Sequence, residues 1–318
     1  MTGTELLIAA AIDVVMGDPR WFPHPVRGMG RVIAWCDEHV RLAWQSSVGL
    51  RLAGIVLACG LPAAVYGFSS VVIEWATGIS VLAGRAVEIG LASTTLAWRD
   101  LWDHAQGVSR PLLAGNVADA RSAVAKIVGR DTESLSESEV VRATVETIAE
   151  STADGVVAPL LYLSLGGAPF ALAYKAVNTL DSMIGHREER YRDFGWASAR
   201  LDDVANWLPA RLTSWFIVLA AWACTKRWEQ AIESRNILLR DAEKHPSPNS
   251  GRPEAAMAGA LGVQLGGVNC YDGIAQERPI MGEGRSALYP GDIERAMWIM
   301  TIASLLCLLL ALISLWVA

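Results

Sequence analysis

Lys175, Asn178 and Asp181 stand three residues apart, so on a helix they line one face. A lysine beside an amide and a carboxylate can hold a phosphate and a divalent cation; the plain alternative is a lysine snorkelling out of a bilayer. Arg190 follows closely and adds positive charge. Asp202 and Asp203 with Asn206 repeat the pattern of oxygen donors just ahead of another apolar stretch. Glu146, Glu150 and Asp154 are four apart. Like charges at that spacing repel along a helix, and water, a cation or a raised pKa must offset them. Mg2+ takes carboxylate oxygens, which makes Glu150, Asp154, Asp181, Asp202 and Asp203 the candidate metal ligands.

Two further clusters lie in proline-rich loops. Asp18, Arg20, His24 and Arg27 are spaced among Pro19, Pro23 and Pro25. The fixed φ of proline stiffens such a loop, which can clasp an anion between its arginines or serve as an interfacial turn anchored by Trp21. The run His245-Pro246-Ser247-Pro248-Asn249-Ser250-Gly251 leads to Pro253, a residue suited to the first helical position. A helix starting there aims free backbone N–H groups at the loop, a ready anion site. Ser247, Asn249 and Ser250 add neutral hydrogen bonds. General signatures are absent: the sequence has no G-x-x-x-x-G-K-[ST] loop and no G-x-G-x-x-G fingerprint. It has no H-E-x-x-H and no G-x-S-x-G either.

The elements that must position these groups are membrane helices. Of the 318 residues 52% are hydrophobic and 19% charged, against about 25% charged in a soluble domain. Residues 52–73, 155–174 and 296–318 are free of charge and long enough to cross a bilayer; 208–225 joins them if Arg211 snorkels. Residues 79–98 are apolar except for Arg85 and Glu88, one turn apart and able to pair. Residues 255–271 are rich in small side chains and carry Gly262 and Gly266, a spacing for close helix packing or a re-entrant segment. Amphipathic helices are expected over 116–129, from the Ser136–Glu139 capping box onward, and over 226–244. No strand pattern stands out. The reading is all-α: a polytopic membrane helical bundle with amphipathic helices, some segments open to being re-entrant, in one domain over 1–318 with a helical extramembrane insertion at about 99–154. A net charge of −6 without a basic tract excludes a nucleic-acid partner. Five scattered cysteines form no C-x-x-C pair. The apolar run 6–16 lacks a basic flank and a cleavage site, so it does not read as a secretory signal.

In chain order, Asp18-Pro19-Arg20 with Pro23-His24-Pro25-Val26-Arg27, Glu150 through Asp154-Gly155 to Pro159, Tyr174-Lys175 through Asn178 to Asp181-Ser182-Met183, Glu189-Arg190-Tyr191 with Phe194-Gly195, Arg200-Leu201-Asp202-Asp203 with Asn206, and the His245–Gly251 run resemble the CobD/CbiB cobalamin-biosynthesis family, the adenosylcobinamide-phosphate synthases. The resemblance covers nearly the whole chain. It implies an ATP-dependent amide ligase of the inner membrane, joining adenosylcobyric acid to aminopropanol or aminopropanol O-phosphate, with ATP and Mg2+ as cofactors. An association with other late cobalamin-pathway enzymes belongs to the same expectation.

A carboxylate does not accept an amine at neutral pH without activation, and phosphorylation by ATP supplies it. That asks for carboxylates to hold metal, cations to hold phosphates, and a group to take the amine's proton. Lys175, Arg20, Arg27 and Arg190, with Asn178, Ser247, Asn249 and Ser250, are the phosphate and nucleotide candidates. His24 and His245, together with Lys175, make the catalytic set. The rival readings are a transporter, for which the glycines and prolines of 155–174 speak, and an AmpE-like non-catalytic membrane sensor. With four simple crossings, the Lys175 and His245 segments face opposite sides. One shared site therefore requires 155–174 or 255–271 to do something other than cross.

Overall fold

The computed structural model of the chain describes residues 1–19, 21, 23–44, 46–186 and 188–317, with the backbone alone at 41–43. Arg20 lies outside the described residues. In chain order the helices are α1 (Gly3–Met16), α2 (Pro25–Ala43), α3 (Ser47–Ile79), α4 (Val81–Ser93), α5 (Trp98–Leu113), α6 (Val117–Val124), α7 (Glu137–Ser151), α8 (Ala158–Ile184), α9 (Trp196–Ala205), α10 (Trp207–Thr225), α11 (Trp228–Asp241), α12 (Gly251–Leu261) and α13 (Pro290–Val317). Strands β1 (Leu265–Tyr271) and β2 (Ile274–Met281) lie between the last two. Among the described residues, four helical runs are long and apolar enough to cross a bilayer: Ser47–Ile79, Glu137–Ile184, Trp207–Thr225 and Pro290–Val317. The fold is an all-α membrane bundle with one small sheet. Its contacts divide it into two compact units, one of Met1–Ala97, Ala158–Asn206 and Ala311–Ala318, the other of Trp98–Val157 and Trp207–Leu310.

In the first unit, Thr2 and Glu5 close a capping box on α1. The apolar stretch after residue 79 yields only α4, 13 residues long, against the roughly 20 that a crossing needs. Arg85 and Glu88 do not serve each other: Arg85 reaches Glu5 at 3.4 Å, and Glu88 reaches the N-terminal amine at 3.6 Å. Ile33, Leu180, Ile184 and Phe194 form a fully buried core cluster joining α2 to the end of α8.

The α8 helix folds back on itself. On a straight helix Tyr162 and Tyr174 would be about 18 Å apart along the axis. Their rings instead stack with centroids 4.7 Å apart, and Phe170 meets Tyr162 edge-on at 5.1 Å. The reversal is at Gly166 (φ −150, ψ 17) and Gly167 (φ 68, ψ −164). The second pair of angles is open essentially to glycine alone. A Cβ at 167 would also meet Glu88 Oε1 at 2.6 Å. Residues 158–165 and 168–184 are therefore two arms of a hairpin, and the apolar run 155–174 is not a single crossing rod.

In the second unit, Asn116 caps α6, which ends at Val124. The expected continuation to Gly129 tightens into i→i+3 turns at Lys126 and Ile127 instead. Ser136 and Glu139 close their capping box on α7. A single π-helical stretch, Thr152–Val157, follows. The segment 226–244 forms α11 and a short 3-10 turn. Pro253 sits at the third position of α12, not the first. Residues 255–271 do not form one helix. The α12 helix stops at Gly262 (φ 65, ψ 45), and Gly266 and Gly267 have φ of 87 and 91, which a right-handed helix cannot hold. The chain becomes an antiparallel hairpin pairing Tyr271 with Ile274 around Asp272-Gly273, where φ is 50 and 76, as a two-residue hairpin turn demands.

Replacing Gly167 by Val is expected to cost about 1–3 kcal/mol from the backbone alone and to lower the melting temperature in detergent by several degrees. Gly60→Ala, where a Cβ meets nothing within 4 Å, serves as control. Equal melting temperatures for the two variants would remove the glycine hinge.

Candidate functional site

The polar centre of the first unit is built around Asp202, on α9. The Asn206 amide donates to both of its carboxylate oxygens at 3.0 Å, and Asn178, on the second arm of α8, donates at 3.5 Å. Tyr174 O–H donates to the Asn206 carbonyl oxygen at 2.9 Å. Burial, and next the negative charge of Asp181, raise the Asp202 carboxyl to about 7, against hydrogen bonds from Asn206 and Asn178 that favour ionisation. Lys175, Asn178 and Asp181 stand at steps of three on this arm, all partly buried. Asp203 pairs with Arg200 at 3.3 Å, and its charge also raises the Asp202 carboxyl. The Asp202 carboxylate is the one that accepts from Asn178 on α8.

Two other sequence-selected groups lie in this unit. Pro25 opens α2 and His24 caps it, its Nδ1 accepting from Val26 N–H at 3.3 Å. The His24 Nε2 is 3.0 Å from Asp18, and Arg27 donates to Pro19 O at 3.4 Å. Arg190 pairs with Asp37 at 2.8 Å. It borders a cavity of about 470 Å³ between α2 and the end of α8, lined by Ile33, Asp37, Glu38, Met183 and Tyr191 among others.

The second unit gathers the remaining candidates. Ser250 Oγ donates to Glu150 at 2.9 Å. Ser247 Oγ accepts from the N–H groups of Asn249 and Ser250 at 3.3 and 3.2 Å. His245 Nδ1 accepts from Ser247 N–H at 3.0 Å, while its Nε2 lies 3.2 Å from Arg278 and 3.8 Å from Glu254. Burial, and next the charge of Arg278, lower the pKa of His245, so the imidazole is neutral. Burial, and next the charges of Glu146 and Glu150, hold the Glu254 carboxyl well above its ordinary range. Glu146 itself is met by Arg130 and Arg142 and accepts from Gly266 N–H at 2.8 Å. Arg142 also donates to the Gly266 and Val268 carbonyls. Two guanidinium groups thus offset the acidic face of α7 and clamp β1 to it. Asp154 falls in the π-helical stretch, whose wider turn breaks the four-residue phase set by Glu146 and Glu150.

Tyr174, Glu254, Arg130, Arg142 and Arg278 were not singled out from the sequence. Tyr174 adjoins Lys175 in a segment already marked; Arg278 lies on a strand that periodicity did not reveal. Among the described residues, no group of three or more His, Cys, Asp or Glu side chains forms a metal cage. Mg2+ does not require one: it binds through one or two carboxylates, waters and substrate phosphates. The mutual charge of Asp181 and Asp202 fits such an ion.

Residues 6–300 match the family described as CobD/Cbib protein. The chain belongs to this family. It is 46% identical over 310 residues to a cobalamin biosynthesis protein CobD of Klebsiella pneumoniae, covering 98% of this chain and 96% of that one. Family likeness is similar at 48% over 283 residues to CobD of Geobacter metallireducens, 88% and 86% covered. Against cobalamin biosynthesis protein CbiB of Salmonella typhimurium it is 44% over 310 residues, 98% and 96% covered. No solved structure matches the chain.

A carboxyl whose pKa is higher folded than unfolded holds its proton more tightly in the native state, so stability is lost as pH rises from the unfolded value to the folded one. For Asp202 that window runs from about 4 to about 7. In chelator the melting temperature should fall across it, Asp202→Asn should flatten the fall, and Mg2+ should recover part of it for the native chain only. Identical profiles for the native chain and Asp202→Asn would show that Asp202 carries no such penalty.

Proposed function

We propose that the chain acts in cobalamin biosynthesis as an ATP-dependent amide ligase of the cell inner membrane, an adenosylcobinamide-phosphate synthase. It joins adenosylcobyric acid to aminopropanol or its O-phosphate. The observation that carries the reading is the Asp202 carboxylate, held by the Asn206 and Asn178 amides beside the second arm of the hairpin and near enough to Asp181 to feel its charge. Membership in a family whose curated relatives are named cobalamin biosynthesis proteins supports the pathway.

Bound Mg2+ would neutralise charge on the phosphoryl group that activates the corrinoid carboxylate. Asp181 and Asp202 would hold it, with Asp203 as the further candidate in the same unit; Glu150 and Asp154 are the carboxylate candidates of the second unit. Lys175 and Asn178 share the face of Asp181 and would orient phosphate oxygens. Arg20, Arg27 and Arg190 add cationic charge, and Ser247, Asn249 and Ser250 add neutral donors at the start of α12. An amine attacks only as the neutral base, so a proton must leave it; His24 and His245 are the imidazoles assigned to that task.

The test is reconstitution of purified protein with ATP, Mg2+, the corrinoid acid and each amine in turn. ATP should be consumed only when acid and amine are both present, with a product heavier by the amine less water. Asp181→Asn should lower the rate about 100-fold or more, the scale of removing one preorganised charge contact. Full activity in Asp181→Asn would take that residue out of the metal site. Solute movement across vesicles without condensation would favour the transporter.

A further inference from the structure

Asp202 is held by a chain of hydrogen bonds that reaches back into the hairpin. Asn206 is 1% exposed. Its backbone N–H donates to the Asp202 carbonyl at 2.8 Å, while its side-chain amide donates to both Asp202 carboxylate oxygens. Turned the other way, that amide would set its own oxygen against a carboxylate. The orientation is fixed from behind: Tyr174 O–H donates to the Asn206 carbonyl oxygen, an acceptor that only this rotamer presents. Tyr174 is itself 3% exposed and stacked on Tyr162 at 15° between ring planes. Tyr162 O–H donates to the Ala205 carbonyl at 2.9 Å. The two tyrosines meet only because the chain reverses at Gly166 and Gly167, and together they pin the last turn of α9, from which Asp202 projects.

We propose that Tyr174 and Asn206 are positioning residues for cation binding: the Tyr174 hydroxyl orients the Asn206 amide, and the amide presents the Asp202 carboxylate to a divalent ion. This rests on the reading that Asp202 holds the metal. Neutral amides leave a carboxylate's charge uncompensated for the ion, where a guanidinium partner would compete for it. Groups behind a metal ligand set its orientation, and their loss typically weakens binding by about 10–100-fold.

The experiment measures Mn2+ binding to the purified full-length protein in detergent, with no substrate present, by titration and by the Mn2+ paramagnetic resonance line shape. Melting temperature is recorded in parallel. The native chain should bind Mn2+ and Asp202→Asn should not. Tyr174→Phe, isosteric in a stacked ring, should weaken binding several-fold and alter the line shape at unchanged melting temperature; Asn206→Ala should weaken it by about 10–100-fold. If Tyr174→Phe binds Mn2+ with native affinity and line shape, or loses affinity only in step with stability, the positioning role is overturned while the metal reading stands. If the native chain and Asp202→Asn bind Mn2+ equally or not at all, the metal reading itself falls.

Discussion

A helix in an apolar surrounding satisfies its own backbone, and any reversal leaves N–H and C=O groups to be met by something else. The reversal at Gly166 and Gly167 is the constraint on which the first unit turns. It is possible because glycine takes φ 68 with ψ −164, and the tip lies against the Glu88 carboxylate. Its consequence is felt at the other end of the hairpin. The second arm carries Tyr174, Lys175, Asn178 and Asp181, and its partner arm supplies Tyr162, which stacks on Tyr174 and anchors α9. A straight α8 would separate those rings by several turns and leave Asp202 without its hold.

Carboxylates in the two units are managed in opposite ways, and the contrast separates structure from chemistry. Glu146 sits between Arg130 and Arg142 and binds a backbone N–H of β1. An acid so fully met by guanidinium groups and a main-chain donor is a fastener; removing one partner leaves a buried charge without its counterweight. Asp202 is bound by amides, and burial, with the charge of Asp181 next, lifts its pKa to about 7. Such an arrangement costs stability near neutral pH, and strained electrostatics of this kind gather where a charged ligand is to be received.

Much of this was legible in the sequence, for reasons that differ by element. Long uncharged stretches have no use except in lipid or a core, so the four apolar runs could be read directly. The capping residues Ser136, Glu139 and Asn116 worked as expected because their bonds are local. The α8 hairpin was visible only as an anomaly, glycines and prolines in an apolar run, since its proof is a contact between Tyr162 and Tyr174. The β hairpin was missed although Asp272-Gly273 is a strong two-residue turn signal. Its faces do not alternate cleanly, and β1 and the turn are tied down by Arg130, Arg142 and Asp131 from a distant segment. Three-residue spacing joined Lys175, Asn178 and Asp181 to one face, but nothing in the spacing told that Asp202 would accept from Asn178.

The two histidines share a device that bears on their chemistry. Each precedes a proline, and a residue before proline is held extended: His24 has φ −98 and ψ 128, His245 φ −71 and ψ 140. In that conformation Nδ1 swings onto the N–H two residues ahead, Val26 in one case and Ser247 in the other. In each ring Nδ1 is thereby spent on closing the turn, and Nε2 is the nitrogen left to other partners. Nε2 lies 3.0 Å from Asp18 in the first loop; in the second it lies 3.2 Å from the Arg278 guanidinium, which can only donate, and 3.8 Å from Glu254. Nδ1 can take up a proton only by giving up the bond that closes its own turn, and for His24 that bond is also the cap of α2. Any proton these rings exchange while their turns hold therefore passes through Nε2, whose neighbours are Asp18 in one loop and Arg278 with Glu254 in the other.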